Sequence, residues 1–333
     1  MSNIDFRAKR RQSYLSGESF FATIKHIKND KDAVTEDMQR PNYLTAIGIR
    51  GAFDMLASFE FFLFNLRFTA GEDLTVLANS LTDVVEAYEH YAAALFELPD
   101  DDYRPPFLMD DTIDAYVDYL HLLCAAILLH REDLIPRIHV LNEGTDFDGA
   151  DAVIEELLKF YLPDRPALDA WLWDKPYRAL LDAIDSDTPT EMAKEMKKHV
   201  KGWYPGMKGQ AHFWGKHEQI KPEFTPYNGY WAMCAAAFTY LYDIDDAGYR
   251  DEIVYPKDLV DYARSKPRRT SEEAAALVPK ELRRVPGGQP CTQSGYWFTP
   301  ADGGQRKKFN QGDVMPNAQS DYGSMIWYWS PEQ

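Results

Sequence analysis

The stretch Ile113-Asp114-Ala115-Tyr116-Val117-Asp118-Tyr119-Leu120-His121-Leu122-Leu123-Cys124-Ala125-Ala126-Ile127-Leu128 has apolar side chains at 113, 116, 117, 120, 123, 124, 127 and 128. That spacing is the i, i+3, i+4, i+7 pattern of a helix with one face in a core, and it predicts a helix over 111–130. Asp110, Asp111 and Asp114 stand where negative charge complements a helix N-terminus. Asp118 lies a turn further on and gains little from that field.

Working outward, the same periodicity fills 43–69 through Leu44, Ile47, Phe53, Leu56, Phe59, Leu63 and Leu66, with Gly71 placed as a C-terminal cap. It continues over 73–96 through Leu77, Leu81, Val84, Val85, Tyr88, Tyr91 and Leu95, and Pro99 with Asp100-Asp101-Asp102 closes that helix. Shorter helices are expected at 150–161, 166–172, 176–184 and 189–203. The last has a legible start: Thr188 caps, Pro189 fits the first turn, and Glu191 completes a capping box. Thr270 and Glu273 repeat that spacing before Ala274-Ala275-Ala276. An apolar helix is expected over 229–242, followed by Asp243, Asp245 and Asp246. Tyr255-Pro256 opens another that runs through Leu259 and Tyr262. Two helices share Cys124-Ala125-Ala126 and Cys234-Ala235-Ala236. A short match of this kind is as compatible with coincidence as with an old duplication.

From Val285 the character changes. Pro286-Gly287-Gly288 and Pro290 break helix, and Ser294-Gly295-Tyr296-Trp297-Phe298-Thr299-Pro300 is β-prone. Asp302-Gly303-Gly304 signals a turn. Asp313-Val314-Met315-Pro316 and Ser324-Met325-Ile326-Trp327-Tyr328-Trp329 supply further extended segments. The expected fold class is mostly α: a multi-helix bundle of antiparallel helices with a small C-terminal β-ribbon. The expected division is a helical region at 1–200, a second packed on it at 201–285, and the β-rich tail at 286–333. A ribbon this small is marginal alone, so its aromatics are expected to fold it onto the helices.

Charge is unevenly spread. The net charge is −17 over 333 residues, yet residues 262–310 carry ten Lys/Arg against four Asp/Glu. The first 261 residues therefore hold 26 basic against 46 acidic residues, about −20. Such a field repels phosphate backbones and attracts basic proteins. Tyr296, Trp297, Phe298 and Phe309 interleave with Arg306, Lys307 and Lys308, a combination that can stack nucleic-acid bases. A ribbon whose positive face docks on the acidic body is the simpler reading. Three cysteines, Cys124, Cys234 and Cys291, make a disulfide framework unexpected and favour a reducing, cytoplasmic compartment. No membrane span is expected either. The apolar run Tyr230–Tyr242 would rise about 20 Å as a helix, against the roughly 30 Å of a bilayer core.

The search for chemistry is mostly empty. There is no phosphate-binding Gly-rich loop, no Gly-x-Ser-x-Gly elbow and no His-Glu-x-x-His pair. His212 and His217 are five apart and face different directions on a helix. Glu86, Glu89 and His90 lack the Glu-x-x-His spacing and second copy of a di-iron bundle. Asp146-Phe147-Asp148-Gly149-Ala150-Asp151 alternates oxygens but is not a calcium loop of twelve residues ending in Glu. No catalytic, cofactor or metal residue is assigned. The acidic clusters read as solvated faces, or as a contact for a basic partner; the candidates for that contact are Asp110, Asp111, Asp114, Asp118, Asp243, Asp245 and Asp246. Trp171, Trp173 and Trp214 are read as core, with an interface as the alternative. A monomer and a homodimer both remain open.

Several segments together resemble a known family. They are Trp203-Tyr204-Pro205-Gly206-Met207-Lys208, Gly229-Tyr230-Trp231, the Ala-rich helix after it, Asp245-Asp246, and Tyr255-Pro256 with Asp258-Leu259-Val260. They are similar to the all-helical, PoNi-like immunity proteins of bacterial polymorphic-toxin and type VI secretion systems, which neutralise nuclease effectors. The tail Ser294–Pro300, Gly312–Pro316 and Ile326–Trp329 resembles a module of related immunity proteins. One departure is that members often carry a Glu soon after Gly-Tyr-Trp, where this chain has Ala232-Met233-Cys234-Ala235. The resemblance implies a cytoplasmic protein that binds and blocks a cognate toxin, with no catalysis and no cofactor. Two other readings stand beside it: a helical scaffold or adaptor without a toxin partner, and a metal-dependent helical enzyme using Glu86, Glu89, His90 or the acidic clusters.

Overall fold

A computed structural model describes residues 3–40, 45–96, 104–162, 165–269, 273, 284–292, 294–299, 306–317 and 326–329. Leu44, the stop at Pro99 and Asp100-Asp101-Asp102, Thr270 with Ala274-Ala275-Ala276, Pro300, the Asp302-Gly303-Gly304 turn, and Ser324 with Met325 lie outside them.

The molecule is mostly α. Among the described residues the helices are α1 (Asn3–Lys9), α2 (Gly17–Asp37), α3 (Ala46–Thr69), α4 (Leu74–Phe96), α5 (Ile113–Leu128), α6 (Ile135–Val140), α7 (Ala152–Leu158), α8 (Asp174–Ile184), α9 (Pro189–Gly206), α10 (Met233–Leu241) and α11 (Lys257–Arg264). Helix α5 is the core element: every residue from Tyr119 to Leu128 is buried except His121. It packs against α10, and the two Cys-Ala-Ala segments explain how. Their small side chains bring the helices close, so that Cys124 Sγ lies 3.8 Å from Cys234 Sγ. The helix pairs α3–α4 and α8–α9 pack alongside.

Helix starts follow the side chains that cap them. Thr112 Oγ1 accepts from Ala115 N at 3.3 Å, and Thr45 Oγ1 accepts from Gly48 N at 3.1 Å. The cap read at Thr188 forms: Thr188 Oγ1 accepts from Glu191 N at 3.2 Å and donates to Glu191 Oε2 at 2.9 Å, so the Glu191 carboxylate meets the hydroxyl rather than the backbone N–H of a full capping box. Such caps satisfy donors that the helix leaves orphaned.

Two expected helices change. Residues 166–172 are irregular, because the backbone there serves α7 instead. Ala170 O accepts from Ala152 N at 2.9 Å, and Leu172 N donates to Asp151 Oδ2 at 2.8 Å. The helix expected from 229 begins only at Met233. Gly229 has φ +124°, and a Cβ there would overlap Trp231 Nε1 and Thr69 Oγ1.

The tail is a four-stranded antiparallel sheet of order β1-β4-β2-β3, with β1 Arg284–Pro286, β2 Gly295–Phe298, β3 Lys307–Phe309 and β4 Ile326–Trp329. The segment at 313–316 makes only a bridge from Val314 to Pro290. Among the described residues Val285, Cys291, Trp297, Met315 and Trp327 form a core of their own, separate from the helical one. The basic stretch does reach the helical body at its start. Arg268 Nη1 donates to Leu241 O at 2.6 Å, Arg264 Nη2 to Ile244 O at 2.8 Å, and Arg269 pairs with buried Glu132. Among the described residues no helix is long and apolar enough to cross a membrane.

Candidate partner-binding site

The seven acidic candidates occupy different environments. Asp110 and Asp111 are exposed just before α5. Asp114 is half-buried and works inward: its carboxylate accepts from His212 N at 2.9 and 3.0 Å and from Phe213 N at 3.3 Å, pinning the 212–213 segment to α5. One turn on, Asp118 keeps some surface but is otherwise enclosed by protein, and among the described residues it makes no hydrogen bond or ion pair. Burial, with the nearby charge of Asp114 adding to it, pushes its carboxyl up to about 8. Asp243 and Asp245 are exposed. Asp246 is buried and internally neutralised: it accepts from Arg250 Nη1 at 2.9 Å, Arg264 Nη1 at 3.1 Å and Tyr255 OH at 3.2 Å. It therefore ties α11 to the turn after α10.

Asp114 and Asp118 line one cleft of about 230 Å³, which the Asp243–Asp246 group does not. The cleft lies between α3, α5 and the segments around 212–216 and 226–231; its walls include Asn65, His121, Trp203, Lys216 and Trp231. Two of the family-like motifs thus supply its aromatic walls. Trp203 stacks on Phe213 with centroids 5.7 Å apart, and Trp231 Nε1 donates to Thr69 Oγ1 at 2.9 Å. His121 lies 6.3 Å from Trp203 in a stacked arrangement. Burial holds its imidazole down at about 4 although it bonds to the backbone of Trp231, and its Nε2 has no hydrogen-bond partner.

The remaining motif residues are cement. Tyr204 stacks on Trp214 at 5.6 Å and packs against Tyr230 at 4.4 Å. Asp258 pairs with Arg11, whose guanidinium lies 4.4 Å over Phe68. Gln12, which carries no sequence signal, is a buried hub. Its Nε2 donates to Tyr230 O at 2.7 Å and Ile253 O at 2.8 Å, and its Oε1 accepts from Tyr230 N at 2.9 Å and from Tyr227 OH.

Other residues weighed for chemistry have structural partners. Glu89 holds Arg137 in a bidentate pair at 2.5 and 2.7 Å. His217 Nδ1 lies 2.9 Å from Tyr230 OH, while His212 is exposed. Asp151 caps α7 by accepting from Ile154 N at 3.0 Å. Asp148 joins Arg165 at 2.7 Å and His139 at 3.1 Å, and Arg165 in turn grips buried Glu155 with two bonds of 2.6 Å. Trp173 Nε1 donates to Met109 O at 2.7 Å.

Comparison with known proteins agrees with the motifs. Residues 149–259 match the family described as PoNe immunity proteins (PoNi), C-terminal. The solved structure of protein PA2201 from Pseudomonas aeruginosa superposes with a TM-score of 0.61 at 20% identity, covering 77% of this chain and 91% of that one. At that identity it shows a shared fold. No curated protein sequence matches. The family match ends before the tail. Over residues 149–259, this chain is similar to the PoNi immunity proteins that its motifs between Trp203 and Val260 resemble.

Proposed function

We propose that this chain is an immunity protein that binds and neutralises a PoNe-type nuclease toxin in the cytoplasm, as part of a type VI secretion system. The observation that carries the reading is the match of 149–259 to the C-terminal region of PoNe immunity proteins. The charge distribution supports it: a nuclease needs a cationic surface to hold nucleic acid, and a body of about −20 can occupy that surface and associate fast. Asp110, Asp111, Asp243 and Asp245 supply exposed carboxylates for such a contact, and Asp114 and Asp118 flank the cleft beside the first pair. Co-expression tests it. Cells producing the toxin domain encoded beside this gene should survive when the chain is present and die when it is absent; death in both cases overturns the reading.

A further inference from the structure

We propose that the cleft lined by Asp114, Asp118, His121, Trp203 and Trp231 receives an arginine side chain of the bound basic partner, with Asp118 accepting from its guanidinium. The partner's identity rests on the immunity reading, but the chemistry of the cleft does not. Its volume of about 230 Å³ holds several waters at roughly 30 Å³ each, or one long side chain. Its polar lining is rich in acceptors. Asp118 is unengaged among the described residues, Asp114 brings a second carboxylate, and Asn65 brings an amide oxygen. The unpartnered Nε2 of the neutral His121 is a further acceptor when the other ring nitrogen donates to the Trp231 backbone. A donor-only, planar cation fits that set, and guanidinium, which is more weakly hydrated than an ammonium, gives up less on entering a cleft walled in part by the buried Trp203 and Trp231. A protein whose body carries about −20 selects cationic partners in the first place.

Burial, with the charge of Asp114 beside it, holds Asp118 largely as the neutral acid near pH 7. Entry of the cation moves that proton to solvent, and the resulting carboxylate accepts the guanidinium N–H bonds. The groups that face Asp118 are Asp114 and His121 on its own helix, His212 and Lys216 across the cleft, and Tyr88 on α4. Lys216 is the one competing cation among the lining residues, and it pairs with no acidic side chain among the described residues.

The test uses the full chain without toxin. It is titrated calorimetrically with N-acetyl-arginine amide and with the uncharged isostere N-acetyl-citrulline amide, at pH 7 and pH 9. The arginine compound should bind about tenfold or more tighter than citrulline, as a charge-assisted bond requires. Its binding should tighten at pH 9 and release a proton at pH 7. Asp118→Asn, which mimics the neutral acid and keeps the fold, should abolish both the preference and the pH dependence, whereas Lys216→Ala should tighten binding. Equal binding of the two compounds, no binding of either, or arginine binding unchanged in Asp118→Asn overturns the proposal. In a parallel titration with the toxin domain, a toxin that binds wild type and Asp118→Asn alike overturns the cleft alone. A toxin that binds neither overturns the immunity reading, and the arginine titration still decides the cleft.

Discussion

At the residue scale, a few buried polar side chains fix how the segments of this helical body meet. Gln12 satisfies both backbone groups of Tyr230 and the carbonyl of Ile253, so it ties the N-terminal loop to the segments on either side of α10. Gln12→Leu keeps the volume and strands those groups. A buried unsatisfied group costs about 1–3 kcal/mol, so urea denaturation should show a loss of roughly 3 kcal/mol or more. Asp148 makes a pH prediction. Burial alone would raise its carboxyl, but the hydrogen bonds and charges of His139 and Arg165 outweigh it and hold it well below the usual carboxylate range. An acid depressed in the folded state contributes stability above its unfolded value, about 3.9, and loses it as pH falls through the folded value. Stability measured from pH 5 to pH 2 should therefore drop more steeply in the wild type than in Asp148→Asn, which starts lower at neutral pH.

At the scale of elements, Gly229 shows what loop geometry adds to helix pattern. With φ +124° and no room for a Cβ beside Trp231 and Thr69, Gly229→Ala should lower the melting temperature by several degrees, about 2 kcal/mol or more. It should also disturb the tryptophan signal of Trp231. The same position explains part of what the sequence could and could not reveal. Long helices such as α4 and α5 were legible because their apolar periodicity is strong, and the α9 start was legible because its cap is local chemistry. Helix α2 carries a shorter stripe: Phe20 and Ile24 pack against the core, but the residues it buries fully are Gly17, Ser19, Thr23 and Ile27, so much of its inward face reads as polar. Residues 229–232 look helical by composition, yet a left-handed glycine and the Trp231 contact to Thr69 hold them out of the helix. Strands β1 and β3 were hidden for a different reason. Pro286 reads as a breaker and Lys307-Lys308-Phe309 as a basic cluster, while pairing with β4 and β2 decides their conformation. Among the acidic positions, chain order gave no sign that Asp246, Asp148 and Asp151 turn inward while Asp110 and Asp111 stay in solvent. Those differences depend on Arg264, Arg165 and Leu172, residues distant in sequence or in a segment that read as helix.

At the scale of the whole molecule, the charge is organised. The acidic excess lies in the helical region, and the arginines at 264, 268 and 269 are spent on it, neutralising Asp246 and Glu132 and binding the Leu241 carbonyl. Just before α5, Asp110 and Asp111 stay in solvent. Reversing Asp110 and Asp111 to Lys should slow association with a basic partner about tenfold at low salt and change the dissociation rate little, measured by stopped-flow or surface binding kinetics. The most direct test of the central claim is inhibition of a purified PoNe-type nuclease domain, encoded beside this gene, by the purified full chain. A one-to-one complex that abolishes nuclease activity, with an association rate that falls as salt rises, is the predicted result. A nuclease that cuts at full rate in the presence of excess chain, with no complex at low salt, would contradict it.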